Sequence, residues 1–178
     1  MKTLKLPSFC RTAPLLSAGF ISVIFAVFPL KSVYSQVALT PLELFFNPQR
    51  ADNFSTATDG GRDSAASSYS YSGVEGCVFF RPQPGSVQLL SYFNAQRGDN
   101  YTTATSQGAN DAIAAGYSYT RVEGYIFPTQ QLNTVPLRTY YSDQREDHFT
   151  TARTTTTPVG YRFVRVEGYV YPALRCSI

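Results

Sequence analysis

Tyr92-Phe93-Asn94-Ala95-Gln96-Arg97-Gly98-Asp99-Asn100-Tyr101-Thr102-Thr103-Ala104-Thr105 decides the fold, because nearly the same text is written twice more in the chain. Phe45-Phe46-Asn47 and Gln49-Arg50-Ala51-Asp52-Asn53-Phe54-Ser55-Thr56-Ala57-Thr58 precede it. Tyr140-Tyr141-Ser142 and Gln144-Arg145-Glu146-Asp147-His148-Phe149-Thr150-Thr151-Ala152-Arg153 follow it. Asp52, Asp99 and Asp147 stand 47 and 48 positions apart, so the period is nearly constant. A second phrase closes each copy: Val74-Glu75-Gly76, Val122-Glu123-Gly124 and Val166-Glu167-Gly168. Self-similarity at a fixed period marks one supersecondary unit used three times.

Within a unit the pattern is that of short strands. Leu42 to Phe46 alternates and then turns at Asn47-Pro48, and Gln88 to Phe93 and Leu137 to Tyr141 read the same way. Proline fixes one torsion of the turn, and asparagine and aspartate bond to nearby backbone. The aromatic and β-branched runs Phe54–Thr58, Tyr101–Thr105 and Phe149–Arg153 supply the returning strands. In the middle unit, Ser106 is expected to cap a helix over 107–115 that stops at Gly116. The threonine-rich third connector, ending at Pro158, is unsuited to a helix, so a helix is expected in one or two units only. Tyr69-Ser70-Tyr71 and its counterparts, followed by apolar segments such as Tyr125-Ile126-Phe127, bring the expected count to four strands per unit. The predicted fold is mainly β, a closed pseudo-threefold β-trefoil-like architecture with a short helix in one or two repeats; the alternative is an α+β threefold repeat.

Ahead of the repeats, Lys2, Lys5 and Arg11 precede an apolar run over 13–30, and Val33-Tyr34-Ser35 follows as a cleavage site. Residues 1–35 read as a secretory signal peptide. An uncleaved anchor is the alternative, since the run just reaches spanning length, but Ser17, Gly19 and Pro29 weaken it. The remainder, 36–178, is one domain with repeats at about 41–82, 87–130 and 135–174. Four of the fifteen basic residues lie before position 36, which leaves eleven arginines against twelve acidic residues and a net charge of −1. Nucleic-acid binding therefore loses its electrostatic motive, and no membrane contact is expected once the signal is removed. Cys77 and Cys176 form an even pair suited to a disulfide in an exported chain, one that would tie the first unit to the last.

The aromatic-Tyr/Phe-Asn start, the turn, Asp-His/Asn-Phe/Tyr-Thr-Thr, the alanine-bearing connector, Gly-Tyr, and Glu-Gly before an aromatic strand together resemble the secreted repeat module DUF5648. The resemblance covers about residues 41 to 172. It implies an extracellular module found alone or appended to cell-wall and polysaccharide hydrolases, with carbohydrate or cell-surface binding suspected. Asn53 and Asn100 stand where His148 keeps the commoner residue of that pattern.

Arg50, Arg97 and Arg145 each precede an aspartate by two residues, and Asn53, Asn100 and His148 follow it. Three equivalent sugar sites would use Asp52, Asp99 and Asp147 as hydroxyl acceptors, arginine or asparagine as donors, and an aromatic face for the pyranose. The competing reading is an Asx turn with a local ion pair, the aromatic turned into the core. Arg97-Gly98-Asp99 invites an integrin-loop reading, but Arg50-Ala51-Asp52 and Arg145-Glu146-Asp147 show it to be the repeat's turn. The glycosylation patterns at Asn53 and Asn100 are demoted by the same reasoning. Glu75, Glu123 and Glu167 are expected to bond backbone or an arginine such as Arg121 or Arg165 within their own unit, rather than converge as a cation site.

Catalysis is not expected. His148 is the only histidine, which excludes a histidine-based metal cluster, and no Gly-X-Ser-X-Gly, phosphate loop or Cys-X-X-Cys occurs. Threefold repetition supplies equivalent carboxylates, whereas glycoside hydrolysis needs two in different environments. The expectation is a secreted, non-catalytic module without cofactor that binds carbohydrate or cell-surface glycans. The alternatives are a structural or protein-binding domain, an inhibitor among them, and then a hydrolase.

Overall fold

The computed structural model describes residues 37–154 and 156–176; the expected signal peptide, 1–35, lies outside them. Each unit opens with a hairpin whose last paired residues flank a four-residue turn. These are β1 (Leu39–Asn47) with β2 (Asp52–Thr56), β4 (Val87–Asn94) with β5 (Asp99–Thr103), and β7 (Val135–Ser142) with β8 (Asp147–Thr151). The turn is held by the residue that ends the first strand. Asn47 Oδ1 accepts the backbone N–H of Gln49 and Arg50 at 3.0 Å each, Asn94 does the same for Gln96 and Arg97, and Ser142 Oγ accepts from Arg145 at 3.3 Å. The Asx turn therefore belongs to these residues and not to the aspartates.

A third strand returns along the other side of the first: β3 (Ser70–Phe79), β6 (Ser118–Ile126) and β9 (Arg162–Val170). The fold is mainly β, with a six-stranded antiparallel sheet ordered β2-β1-β3-β6-β4-β5 and a three-stranded one ordered β8-β7-β9. Nine strands stand where twelve were expected, so the trefoil's four-stranded unit is not formed among the described residues. The segments taken for two strands are one, interrupted by irregularities: β1 shifts register between Leu42 and Glu43 and again between Leu44 and Phe45, and the other two units repeat both shifts. The first shift leaves Glu75, Glu123 and Glu167 outside the pairing, and a bulge of this kind re-aims the side chain it carries.

Two short α-helices occur among the described residues, α1 (Asp59–Ala65) and α2 (Ser106–Ala114). Thr58 and Thr105 cap them, accepting from Gly61 N–H at 3.2 Å and Gly108 N–H at 3.0 Å, so α2 begins one residue before its expected start. The same hydroxyls reach Glu123 and Glu167 of the adjoining unit, at 3.2 and 3.4 Å, which sets the register of each helix from outside it. Arg153 occupies that position in the third unit, and no helix follows β8 among the described residues.

Leu42, Leu89 and Leu137 are fully buried and pack with Val78, Ile126 and Val170, two apolar residues from each unit. Every unit also contacts both others. A β-bridge joins Phe79 to Tyr125, another Phe127 to Tyr169, and a third Cys77 to Tyr171. The glycine after each bulged glutamate admits the neighbouring strand. A Cβ on Gly124 would lie 2.9 Å from the Phe79 carbonyl oxygen, and one on Gly168 would lie 2.6 Å from that of Phe127, closer than real Cβ atoms approach. Cys77 and Cys176 are disulfide-bonded with Cα atoms 5.4 Å apart, tying β3 to the short 3-10 turn at Ala173–Arg175.

Candidate functional site

Asp52, Asp99 and Asp147 begin the three short strands β2, β5 and β8, and these strands meet one another. The aspartates are buried, at 1%, 2% and 1% exposure, with carboxylate oxygens within 4.8 Å of one another. Each Oδ1 accepts a backbone N–H from the next unit: Asp52 from Asn100 at 2.9 Å, Asp99 from His148 at 3.0 Å and Asp147 from Asn53 at 2.7 Å. The side chains of those residues bond the Oδ2 atoms, with Asn100 Nδ2 at 2.8 Å, His148 Nδ1 at 2.7 Å and Asn53 Nδ2 at 2.7 Å. Tyr69, Tyr117 and Tyr161 complete the set, each donating its hydroxyl to the aspartate of its own unit.

This arrangement corrects the sequence reading of the aspartates as hydroxyl acceptors at the surface. Both oxygens of each are already engaged, and the local Arg-Asp ion pair is absent among the described residues. The integrin-like reading meets the same obstacle, since Asp99 is enclosed. Phe54 and Tyr101 are buried as expected for strand residues, and Phe149 is half-buried. Arg50, Arg97 and Arg145 remain exposed. Asn53, Asn100 and His148 bridge the units, each holding the aspartate of the preceding unit, with Asn53 closing the cycle on Asp147.

Three carboxylates facing one another resist simultaneous ionisation. Burial pushes the Asp52 carboxyl up to about 6, against the hydrogen bonds from Tyr69 and Asn100. Burial and the neighbouring Asp147 raise Asp99 as well, and burial raises Asp147. Burial pushes His148 down to about 4, so its imidazole is neutral near pH 7. When Asp99 is ionised its carboxylate can only accept, so Nδ1 carries the proton toward it and Nε2 keeps its lone pair. The ring stacks on Tyr101 with centroids 4.1 Å apart. Among the described residues the three aspartates are spaced so that they could hold a cation, and an ion there would have to displace donors already in place.

The glutamates form a second set of junctions. Glu123 accepts from Thr56 Oγ1 at 2.7 Å and Ala57 N–H at 2.9 Å. Glu167 accepts from Thr103 Oγ1 at 2.6 Å and Ala104 N–H at 3.2 Å, and Glu75 accepts from Thr151 and from Ala152 N–H at 3.1 Å. They bond backbone as expected, but in the neighbouring unit, because the bulge turns them outward from their own sheet. Arg121 lies 3.4 Å from Glu123 and Arg165 3.8 Å from Glu167 within one unit. Glu75 has Gly73 where the others have arginine, and Arg153 of the third unit pairs with it at 2.9 Å.

A family model described as a domain of unknown function, DUF5648, matches residues 41–171, from β1 to the last bridged tyrosine. The chain belongs to the DUF5648 family. No curated protein and no solved structure matches it.

Above the buried ring, this DUF5648 domain has clefts between adjacent units. One of about 300 Å³ is lined by Arg97, Tyr101, Tyr117, Tyr141, His148 and Arg165, with α2 along one side. Another of about 360 Å³ presents Arg50, Phe54, Tyr69, Phe93, Asn100 and Arg121, with the end of α1 beside it. The two sets correspond position for position along the repeat. Three of the six positions hold predicted residues or their counterparts, namely the arginine, the aromatic and the Asn or His. Tyr69 and Tyr117, the second aromatic and the second arginine were not read as site residues. Their signal was present, since each recurs at a fixed place in the unit, but chain distance hid their convergence.

Proposed function

We propose that this protein is a secreted, non-catalytic module that binds carbohydrate in the clefts between its repeats. The three units, each bonded to both others through Asp, Glu and Gly positions, make a pseudo-threefold body in this reading, and the clefts are its working surface. The observation that carries it is the matching of the two clefts: an arginine that forms no salt bridge among the described residues, aromatic rings, and an Asn or His edge. That combination suits a pyranose, with apolar faces against rings and hydroxyls against polar edges. Weak sites of this kind gain strength together when one polymer engages two of them.

Secretion accords with the Cys77–Cys176 disulfide, which belongs to oxidising compartments. No helix among the described residues is long and apolar enough to cross a membrane. The aspartates belong to the scaffold in this reading, and the ligand contacts pass to the arginine rim. A purely structural or protein-binding role, an inhibitor included, is favoured by one observation, the complete internal bonding of the aspartate ring. A glycan array separates the two. Binding that weakens in Phe93→Ala and in Tyr141→Ala, and is lost in the double variant while the protein stays folded, supports carbohydrate. Absence of binding to every glycan rejects it.

A further inference from the structure

The two matched clefts differ in chemistry, and the difference selects a ligand class. In the cleft between the second and third units, Arg162 joins Arg97 and Arg165, so three guanidinium groups line a space of about 300 Å³. Two of them have carboxylate partners: Arg165 binds Asp111 and lies 3.8 Å from Glu167, while Arg162 reaches the exposed Asp143 at 3.2 Å. Arg97 has no such partner among the described residues. Its NH1 lies 3.5 Å from the Tyr141 hydroxyl, and its guanidinium sits 5.9 Å from the centre of the Tyr117 ring. Asp111 also lines the cleft, its carboxylate taken up by Arg165 and by Gln107 Nε2 at 2.7 Å, and the edge of His148 faces the same space, with Nδ1 committed to Asp99 and no hydrogen bond to Nε2 among the described residues. A cation that forms no salt bridge among the described residues, with only the field of the more distant Glu146 carboxylate acting on it, thus stands in the same cleft as an imidazole acceptor, with Tyr101 and Tyr117 rings beside them.

We propose that this cleft holds an acidic sugar residue, with the carboxylate or sulfate group against Arg97 and an adjacent hydroxyl donating to His148 Nε2. The assignment rests on the carbohydrate-binding reading and narrows it to one ligand class at one of the clefts. Arginine forms paired hydrogen bonds with planar carboxylates and with sulfate-like oxyanions, and partial enclosure among tyrosines makes such bonds stronger than at an open surface. A space near the lower end of the roughly 300 to 1,000 Å³ range of ligand pockets suits a single sugar residue of a longer chain. The Asn100 cleft has two arginines, and Phe93 replaces Tyr141, so it gives the same polymer a less anion-selective second contact.

The test is titration calorimetry of the full protein with three probes: a glucuronic-acid disaccharide, a sulfated galactose disaccharide and a neutral glucose disaccharide. At least one acidic probe is expected to bind about tenfold or more tightly than the neutral one, the margin of one charge-assisted hydrogen bond. Arg97→Gln should erase that margin, and Arg81→Gln, the same charge change at an exposed position away from the cleft, should keep it. Preference for the uronate or for the sulfate identifies the source of the anionic group. Equal binding of acidic and neutral probes, or an acidic margin that survives Arg97→Gln, overturns the proposal and leaves the broader carbohydrate reading standing. Absence of binding by all three, together with an empty glycan array, removes both.

Discussion

Arg97 and Asp99 are two residues apart in one turn and have opposite fates. The aspartate is 2% exposed and bonded to the next unit, whereas the arginine rides outside on the rim of a cleft. Arg50 and Asp52 divide in the same way, as do Arg145 and Asp147. The contrast shows that one turn can serve assembly with its inner residue and recognition with its outer one. Sequence proximity made them look like partners in one site.

The sharpest way to break that comparison is to remove one member of each kind and measure stability. Asp99→Ala leaves the His148 N–H, the His148 ring and the Tyr117 hydroxyl without their acceptor. Orphaned buried donors are penalised individually, so the loss should be about 3 kcal/mol or more in urea unfolding, even after relief of repulsion among the aspartates. Arg97→Gln should change stability by no more than about 0.5 kcal/mol, as exposed surface substitutions do. Equal effects from the two variants would erase the distinction between ring and rim.

Acid is a finer probe of the ring. Asp52 has a folded value of about 6 against 3.8 for the free side chain, so its contribution favours the fold below 3.8 and is lost as pH rises through about 6. Over that window the effect is about 3 kcal/mol, and Asp99 and Asp147 act in the same direction. His148 opposes them. Lowered from 6.5 to about 4, its contribution is present above 6.5 and is lost as pH falls toward 4. His148 offsets only part of the aspartates' effect, so wild type should gain in Tm between pH 7 and pH 4, by less than the aspartates alone would give. His148→Asn, which places there the residue that the other two junctions already use, should gain stability on acidification relative to wild type. Parallel Tm profiles for the two proteins would mean that His148 does not titrate against the ring.

How much of this was legible in the sequence follows from where the information lies. Hairpins and their turns are local, so the alternation before Asn47-Pro48 and the runs beginning at Phe54 and Tyr101 placed them to within two residues, the returning strands starting earlier, at Asp52, Asp99 and Asp147. Membership of the DUF5648 family was legible for the same reason, because the repeated phrases are contiguous. Strand number was misread because a bulge is defined by the register of a partner strand: nothing within Val74-Glu75-Gly76 says that Leu42 faces Gly76 while Glu43 faces Val74. The fate of the aspartates was hidden because it depends on three units meeting. Two compensating differences could have been read. Gly73 stands where Arg121 and Arg165 recur, and Arg153 stands where Thr58 and Thr105 recur. The structure joins the two exceptions, Arg153 donating to Glu75 and to the Ser72 carbonyl at 3.0 Å, in space that a side chain on Gly73 would fill.

The smallest expected effect lies at the residue between rim and ring. Ala51, Gly98 and Glu146 each separate the arginine from the aspartate, and all three adopt positive φ, at 56°, 70° and 53°. That left-handed step turns the chain from the exposed arginine to the buried aspartate, and it strains any residue with a Cβ. Gly98 escapes the strain, and a Cβ there would also stand 3.2 Å from the Arg50 side chain. Ala51→Gly and Glu146→Gly should each stabilise by about 0.5 kcal/mol, since relief of strain is partly offset by the greater freedom of glycine in the unfolded chain. Gly98→Ala should destabilise by about 1 kcal/mol. Because neither the arginine nor the aspartate is altered, thermal melts should shift while cleft binding stays constant. A change in binding without a change in Tm would show that this residue positions the arginine itself, and that rim and ring are coupled through the turn.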